Sequence, residues 1–272
     1  MILGLSSFTY GWSVGVAGHL PAHPFSAGDL LDRTIGAGLR CLQIGDNLPL
    51  HALEPEAQAA LRSRLQAAGV RLEIGARGLT DRHLAHYAGL CAFFGAPLLR
   101  FVIDDAGYRP SMDTVQRIIE NSLPVLRQQG LILGIENHDR FRARELAGLM
   151  ERIGSRQAGI CLDCANSLGA GEGLEYVSSV LAPYTVNLHL KDIRISRLPH
   201  LMGFVVEGAP AGQGMTDFPA LLAQAAAYGR CQSAILEQWV PPEADPGATA
   251  AKEQDWAVQS LQYLRQLGFH SP

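Results

Sequence analysis

The chain has 272 residues, 47% of them hydrophobic and 18% charged, a core-forming composition that excludes disordered, collagen-like and coiled-coil chains. Its 22 Lys and Arg against 26 Asp and Glu give a net charge of −4, so no basic excess favours a phosphate backbone and nucleic acid is not an expected partner. No run reaches the roughly 18 apolar residues of a membrane span, and Met1 leads into Ile2, Leu3 and Gly4 without a basic leader, so a cytoplasmic chain with no membrane partner is expected.

In chain order, short apolar runs at residues 2–7, 40–46, 70–76, 97–103, 131–137, 157–163, 185–192 and 233–239 read as strands. Between them lie amphipathic stretches such as 55–68, with Ala57, Ala60, Leu61, Leu65 and Ala68 on one face. A second, 112–129, carries Val115, Ile118, Ile119, Leu123 and Leu126, and Pro124 predicts a kink in it. Eight β-then-α units without a linker imply a parallel sheet, and closed on itself that sheet is a (β/α)8 TIM barrel, one domain over 1–272. An open doubly wound sheet is the alternative, but no G-x-G-x-x-G follows the first strand.

The chain holds 29 glycines, against roughly 19 at the average usage of about 7%. Six of them, Gly38, Gly69, Gly95, Gly130, Gly154 and Gly229, fall where a helix ends shortly before a strand and a left-handed cap is needed. Four more, Gly203, Gly208, Gly212 and Gly214, recur through 191–215, where no regular element is evident; this predicts a long, mobile loop covering the active site. The five cysteines, Cys41, Cys91, Cys161, Cys164 and Cys231, are an odd number and predict reduced thiols. Cys161 and Cys164 sit three apart on an extended run, on opposite faces, which speaks against a redox pair.

Strand parity is the sharpest signal. In 131–136, Leu133 and Ile135 share one face and Glu136 takes the other; the same holds for Asp163 beside Ile160 and Leu162, for His189 beside Leu188 and Leu190, and for Glu237 beside Leu236. If the aliphatic face packs on outer helices, four strands deliver three carboxylates and one imidazole to the C-terminal rim of the barrel. Converging buried carboxylates need a cation, and this donor set suits one divalent metal ion, Mn²⁺, Mg²⁺ or Co²⁺, with Zn²⁺ as a further option. The same parity turns Gln43, Glu73 and Arg100 inward, with Arg100 and Glu73 expected to pair.

The motifs Gly134-Ile135-Glu136-Asn137-His138, Leu162-Asp163-Cys164-Ala165-Asn166, Asn187-Leu188-His189-Leu190-Lys191-Asp192 and Ile235-Leu236-Glu237 resemble those of the xylose isomerase-like sugar isomerases and epimerases. That TIM-barrel superfamily also contains hydroxypyruvate isomerases, inosose and dehydroshikimate dehydratases and endonuclease IV. The resemblance covers essentially the whole chain. It implies that Glu136, Asp163, His189 and Glu237 bind the metal and that the two glutamates act as acid and base. Ketose epimerases of the family place a His three residues after the Asp ligand, where this chain has Asn166.

The implied chemistry is isomerisation or epimerisation of a small sugar, sugar acid or sugar phosphate through an enediolate, with metal polarising a carbonyl and a glutamate moving the proton. Lys191 and His138 are candidates for polarising oxygens, although Lys191 could instead neutralise Asp192. Arg77, Arg140, Arg194 and Arg197 all follow strands and favour an anionic substrate. His200 and Glu207 belong to the long loop, Asn166 joins the substrate-binding set, and Trp12 could wall the sugar. The anionic preference opens a second reading, a metal-dependent lyase that decarboxylates or dehydrates an oxo sugar acid in carbohydrate catabolism. The expected partner is a small molecule, with a homo-oligomer left open.

Overall fold

Alternating aliphatic residues make each of the eight expected runs a strand whose two faces are both covered. The computed structural model describes residues 1–269, so 270–272 of the expected domain lie outside the described residues. The strands are β1 (Ile2–Ser6), β2 (Cys41–Ile44), β3 (Arg71–Arg77), β4 (Leu98–Val102), β5 (Ile132–Glu136), β6 (Ala158–Asp163), β7 (Thr185–Leu190), a further pair β8 (Asp192–Arg197) and β9 (Phe204–Ala209), and β10 (Ser233–Leu236). Seven of them, β1 to β7, close with β10 into a parallel barrel in the order β1-β10-β7-β6-β5-β4-β3-β2. This is the (β/α)8 TIM barrel that the alternation predicts.

Helices Pro55–Ala68 and Met112–Gln129 occupy the two amphipathic stretches. Pro55 begins the first, where its missing N–H costs nothing, and the Ser111 side chain caps the second by accepting from the Thr114 N–H. The second buries its whole expected stripe and runs on through Pro124. Of the first helix's expected stripe, Leu61 and Leu65 are buried whereas Ala57 and Ala60 are exposed, because only the two long side chains reach the strands. All six joint glycines have φ between 56° and 70°, the left-handed turn that ends a helix without a Cβ penalty. Among the described residues no helix is long and apolar enough to cross a membrane.

The segment 191–215 corrects the expectation of a structureless loop. β8 and β9 pair antiparallel from Asp192 opposite Ala209 to Arg197 opposite Phe204. The β-branched residues Ile193, Ile195, Val205 and Val206 supply the strand preference, and the glycines around them obscure it. Three of the four glycines, Gly208, Gly212 and Gly214, stand in close contacts. The Asp192 carboxylate accepts from the N–H groups of Gly212 (2.9 Å), Gly214 (2.8 Å) and Thr216 (3.0 Å), tying the return segment to the base of the hairpin. A Cβ on Gly214 would lie 2.2 Å from Asp192 Oδ1, and one on Gly208 would lie 2.0 Å from the Trp239 carbonyl oxygen. Close approach of backbone explains both glycines.

Candidate active site

β5 and β6 end on Glu136 and Asp163, His189 is the penultimate residue of β7, and Glu237 directly follows β10. Register places Asp163 opposite His189, so the two lie at one height in the barrel. All four side chains point inward as parity predicts, and none is more than 2% exposed.

They meet around one atom. His189 Nδ1 lies 3.5 Å from Glu237 Oε1, 3.6 Å from Asp163 Oδ2 and 3.8 Å from Glu136 Oε2, yet has no hydrogen-bond partner among the described residues. Its other nitrogen, Nε2, is 2.8 Å from Gln43 Oε1. Asp163, His189 and Glu237 offer donor atoms that all lie within 4.8 Å of one another, and so do Glu136, Cys161 and His189. A buried ring nitrogen without a partner, facing three carboxylates, is the arrangement a hard divalent cation needs, and the residues fit such an ion.

Two protein cations neutralise the cluster. Arg100 pairs with Glu136 and, at 2.6 Å, with Asp46, which also takes Arg77 at 3.0 Å. Lys191 Nζ lies 2.5 Å from Asp163 and 3.1 Å from Glu237, and 5.2 Å from the centre of the Trp239 ring. Two expectations are corrected here. Lys191 serves the carboxylates rather than Asp192, which is occupied by backbone donors. Arg100 pairs with Glu136 and Asp46 rather than Glu73, which receives Ser233, Gln43, Asn187 and Arg71.

Ionisation follows this pairing. Burial pushes the Asp163 carboxyl up, but the Lys191 ammonium and the His189 ring outweigh it and hold the group below the ordinary carboxylate range. Burial likewise pushes Lys191 down, and the charges of Asp163, Glu237 and Glu136 more than reverse it, so the ammonium stays charged well beyond the ordinary lysine range. The His189 imidazole is lowered by burial and raised by Glu237 and Glu136, with a net upward shift. An anionic pocket that draws a proton to this ring would attract a metal ion for the same reason.

The other expected site residues scatter around the rim. Asn166 is in the cluster: its Nδ2 donates to Glu136 Oε1 at 2.7 Å and its Oδ1 accepts from Lys191 at 3.3 Å. His138 is half-buried and bonded to Asp139. Trp12 donates its indole N–H to the Val240 carbonyl and lines a cavity of about 530 Å³ together with Phe8, Glu207, Trp239 and Glu253. Arg194 donates to the Gln213 carbonyl and Arg197 to that of Leu201, while His200 accepts from the Met202 N–H. Among the described residues neither of these arginines forms an ion pair, and Arg77 and Arg140 are already paired with Asp46 and Asp104.

Several contributors escape the sequence reading. Ser6 donates to Glu237 Oε1 at 3.1 Å, and Asn137 accepts from the Asp163 N–H while donating to its carbonyl. Cys161 faces the cluster, its thiol pushed well up by burial and donating to Asn187. Cys161 shares the inward parity of Asp163, and that was the available signal. Asp46 lies beyond the last residue of β2, where parity no longer speaks. All five cysteines are free thiols, as expected.

The barrel and its inward carboxylates define a class, and the chain belongs to the xylose isomerase-like TIM barrel family, whose sequence profile matches residues 31–267. It is 30% identical over 264 residues to the 3-oxo-isoapionate decarboxylase of Pectobacterium atrosepticum, covering 97% of this chain and 95% of that protein. In fold it is similar to D-psicose 3-epimerase from Clostridium cellulolyticum H10, solved with D-tagatose (TM-score 0.71, 13% identity, 99% and 100% of the two chains). It is also similar to a xylose isomerase-like TIM barrel protein from Mycobacterium smegmatis, solved in complex with magnesium (TM-score 0.71, 14% identity, 97% of each chain).

Proposed function

We propose that this chain, working as one barrel domain, is a divalent-metal-dependent lyase that decarboxylates a 3-oxo sugar acid. Glu136, Asp163, His189 and Glu237 would hold the metal, with Glu237 and Lys191 as the working groups. The observation that carries this reading is the pairing of Glu136, whose two oxygens are taken by Arg100 and Asn166. Both of those partners can only donate, so they hold Glu136 as a carboxylate; Glu237 is held at 3.1 Å by Ser6 and by Lys191, and the Ser6 hydroxyl can turn to accept when Glu237 carries a proton, which makes Glu237 the better placed of the two to move protons. Isomerisation and epimerisation need a proton taken and a proton returned, whereas decarboxylation needs only one returned. The decarboxylase relative supports the same choice.

The bond between the carboxyl carbon and its neighbour breaks, its electron pair passes toward the 3-oxo group to leave an enolate, CO2 departs, and the enolate carbon takes one proton. A bound divalent ion supplies a Lewis acid toward the substrate carbonyl. Lys191, kept as an ammonium by Asp163 and Glu237, is a poor acid and a lasting cation; its part is to stabilise the negative charge that builds on substrate oxygen. Glu237, steadied by Ser6, relays a proton from solvent water to the enolate carbon, and the hydroxide left behind is neutralised by the bulk solvent. Phe8 and Trp239, which line the neighbouring cavity with Trp12, stack against Arg100 and Lys191 and cover those two cations with apolar surface.

A second reading, a sugar isomerase or epimerase, has one observation in its favour: Glu136 and Glu237 both lie within 3.8 Å of the same His189 nitrogen, two carboxylates around one point. Incubating metal-loaded enzyme in D2O with a panel of 3-oxo sugar acids and ketoses, followed by NMR, separates the two. The lyase reading expects CO2 release with one deuteron on the carbon that lost its carboxyl group. Deuterium exchange into a ketose without loss of carbon would replace it with the second reading.

A further inference from the structure

Beneath the carboxylate cluster lies a second polar layer that touches none of the proposed working groups. Glu73, fully buried on β3, receives Ser233 Oγ (2.6 Å) and Arg71 (3.0 Å) on Oε1, and Gln43 Nε2 and Asn187 Nδ2 (both 3.2 Å) on Oε2. Gln43, fully buried on β2, also donates to Asn187 Oδ1 at 3.2 Å, and its Oε1 faces His189 Nε2 at 2.8 Å. An interior stacked with amides and a carboxylate costs stability that aliphatic side chains would not, since each polar group must be desolvated. The cost needs a return.

The orientation of Gln43 is dictated by its neighbours. Turned over, the amide would set its oxygen against the Glu73 carboxylate and the Asn187 oxygen, three acceptors with no proton between them. The amide N–H2 must therefore face Glu73 and Asn187, and the oxygen must face His189. An oxygen there accepts a proton only from Nε2, which leaves Nδ1 as the nitrogen with the open lone pair on the side of Glu136, Asp163 and Glu237. The remaining neighbour of Nε2, Cys161 Sγ at 3.3 Å, gives its own proton to Asn187 Oδ1 and is the weaker acceptor.

We infer that Gln43, oriented by Glu73, is a positioning residue that fixes His189 in the tautomer able to bind a metal through Nδ1. The inference rests on the metal-site reading above and extends it below the ligands. Partners of this kind orient ligating histidines and are typically worth 10–100-fold in metal affinity.

Manganese affinity, read by electron paramagnetic resonance titration of wild type, Gln43→Met and Gln43→Glu, is the test, with thermal melting of each beside it. Met matches the side chain in length but offers Nε2 only a weak thioether acceptor, and Glu restores a strong acceptor while setting a second carboxylate against Glu73. A positioning role expects Gln43→Met to lose about 10–100-fold in affinity and Gln43→Glu to stay within a few-fold of wild type despite the lower melting temperature of the two. A purely structural role would rank affinity with melting temperature, and equal affinity of Gln43→Met and wild type would overturn the inference. Should neither variant fold, ¹⁵N NMR of the Mg²⁺-loaded wild type still decides: a slowly exchanging imidazole proton on Nε2 of His189 is expected, and a proton on Nδ1 overturns it. Wild type that binds no manganese removes the metal reading itself, an outcome distinct from either.

Discussion

Within the barrel mouth, Glu136, Asp163, His189 and Glu237 are at most 2% exposed, while in the hairpin beside it Ile195, Phe204, Val205 and Val206 are 37–59% exposed. The first group carries charge in the dry part of the molecule and the second carries apolar surface in the wet part. In the mouth, each carboxylate is held by a neighbour distant in sequence: Arg100 for Glu136, Lys191 for Asp163, Ser6 and Lys191 for Glu237. In the hairpin, Arg194 and Arg197 reach carbonyls of their own segment, and Arg197 also stacks on the Phe204 ring, with no carboxylate partner for either among the described residues. Buried charge forces mutual dependence across the fold, and exposed charge does not.

Breaking that dependence has the largest expected effect. Arg100→Met leaves Glu136 and Asp46 without their shared guanidinium, and uncompensated buried charge of this kind costs about 3–5 kcal/mol. Chemical denaturation is expected to show a loss of that size; a loss within about 0.5 kcal/mol, the range of ordinary surface changes, would mean that the cluster does not depend on Arg100.

A further buried carboxylate sharpens the contrast, because it has hydrogen bonds but no ion pair among the described residues. Glu253 accepts from the N–H groups of Trp12 and Ser13 and from the Ser13 hydroxyl, each at 2.8 Å. Burial pushes its pKa up from the ordinary 4.5 to about 7, opposed by those donors, whereas Asp163 with its ammonium moves down. The native state therefore holds a proton on Glu253 that the unfolded state has released between those two values. Its contribution to stability is complete below about pH 4.5, declines as the pH rises towards 7, and is constant above. A shift of this size corresponds to about 3 kcal/mol. Stability measured across that range for wild type and Glu253→Gln should diverge accordingly, and parallel profiles would show that the group titrates normally.

The smallest effect is expected on the hairpin. Arg194→Ala and Arg197→Ala should each change stability by less than about 0.5 kcal/mol, and a fall in substrate affinity with stability unchanged would instead give these arginines a part in recognition.

The same contrast explains what was legible in the sequence. Glu136, Asp163 and His189 were readable because a strand has a period of two and a closed barrel has an inside, so a polar residue on the inner parity has one place to go. Glu237 follows its strand by a single residue and keeps the direction. Gln43, Glu73 and Arg100 were placed inward by the same rule, but parity gives direction without height, and the pairing of Arg100 with Glu136 rather than Glu73 depends on register between strands. Outside the barrel no period applies. His138 turned to Asp139, Arg140 to Asp104, and the glycine-rich segment folded into a hairpin because Asp192 gathers the backbone donors that follow it. Gly208, Gly212 and Gly214 stand where a neighbour leaves no room for a Cβ, which only the neighbour's coordinates reveal.

The central claim is that the four inward residues hold a divalent ion around His189 Nδ1. Anomalous diffraction from a crystal soaked in Mn²⁺ tests it most directly. The account predicts one strong peak bounded by Glu136, Asp163, His189 and Glu237, lost in Asp163→Ala. A map without a peak there, with His189 and Lys191 seated as they are among the carboxylates, would contradict it.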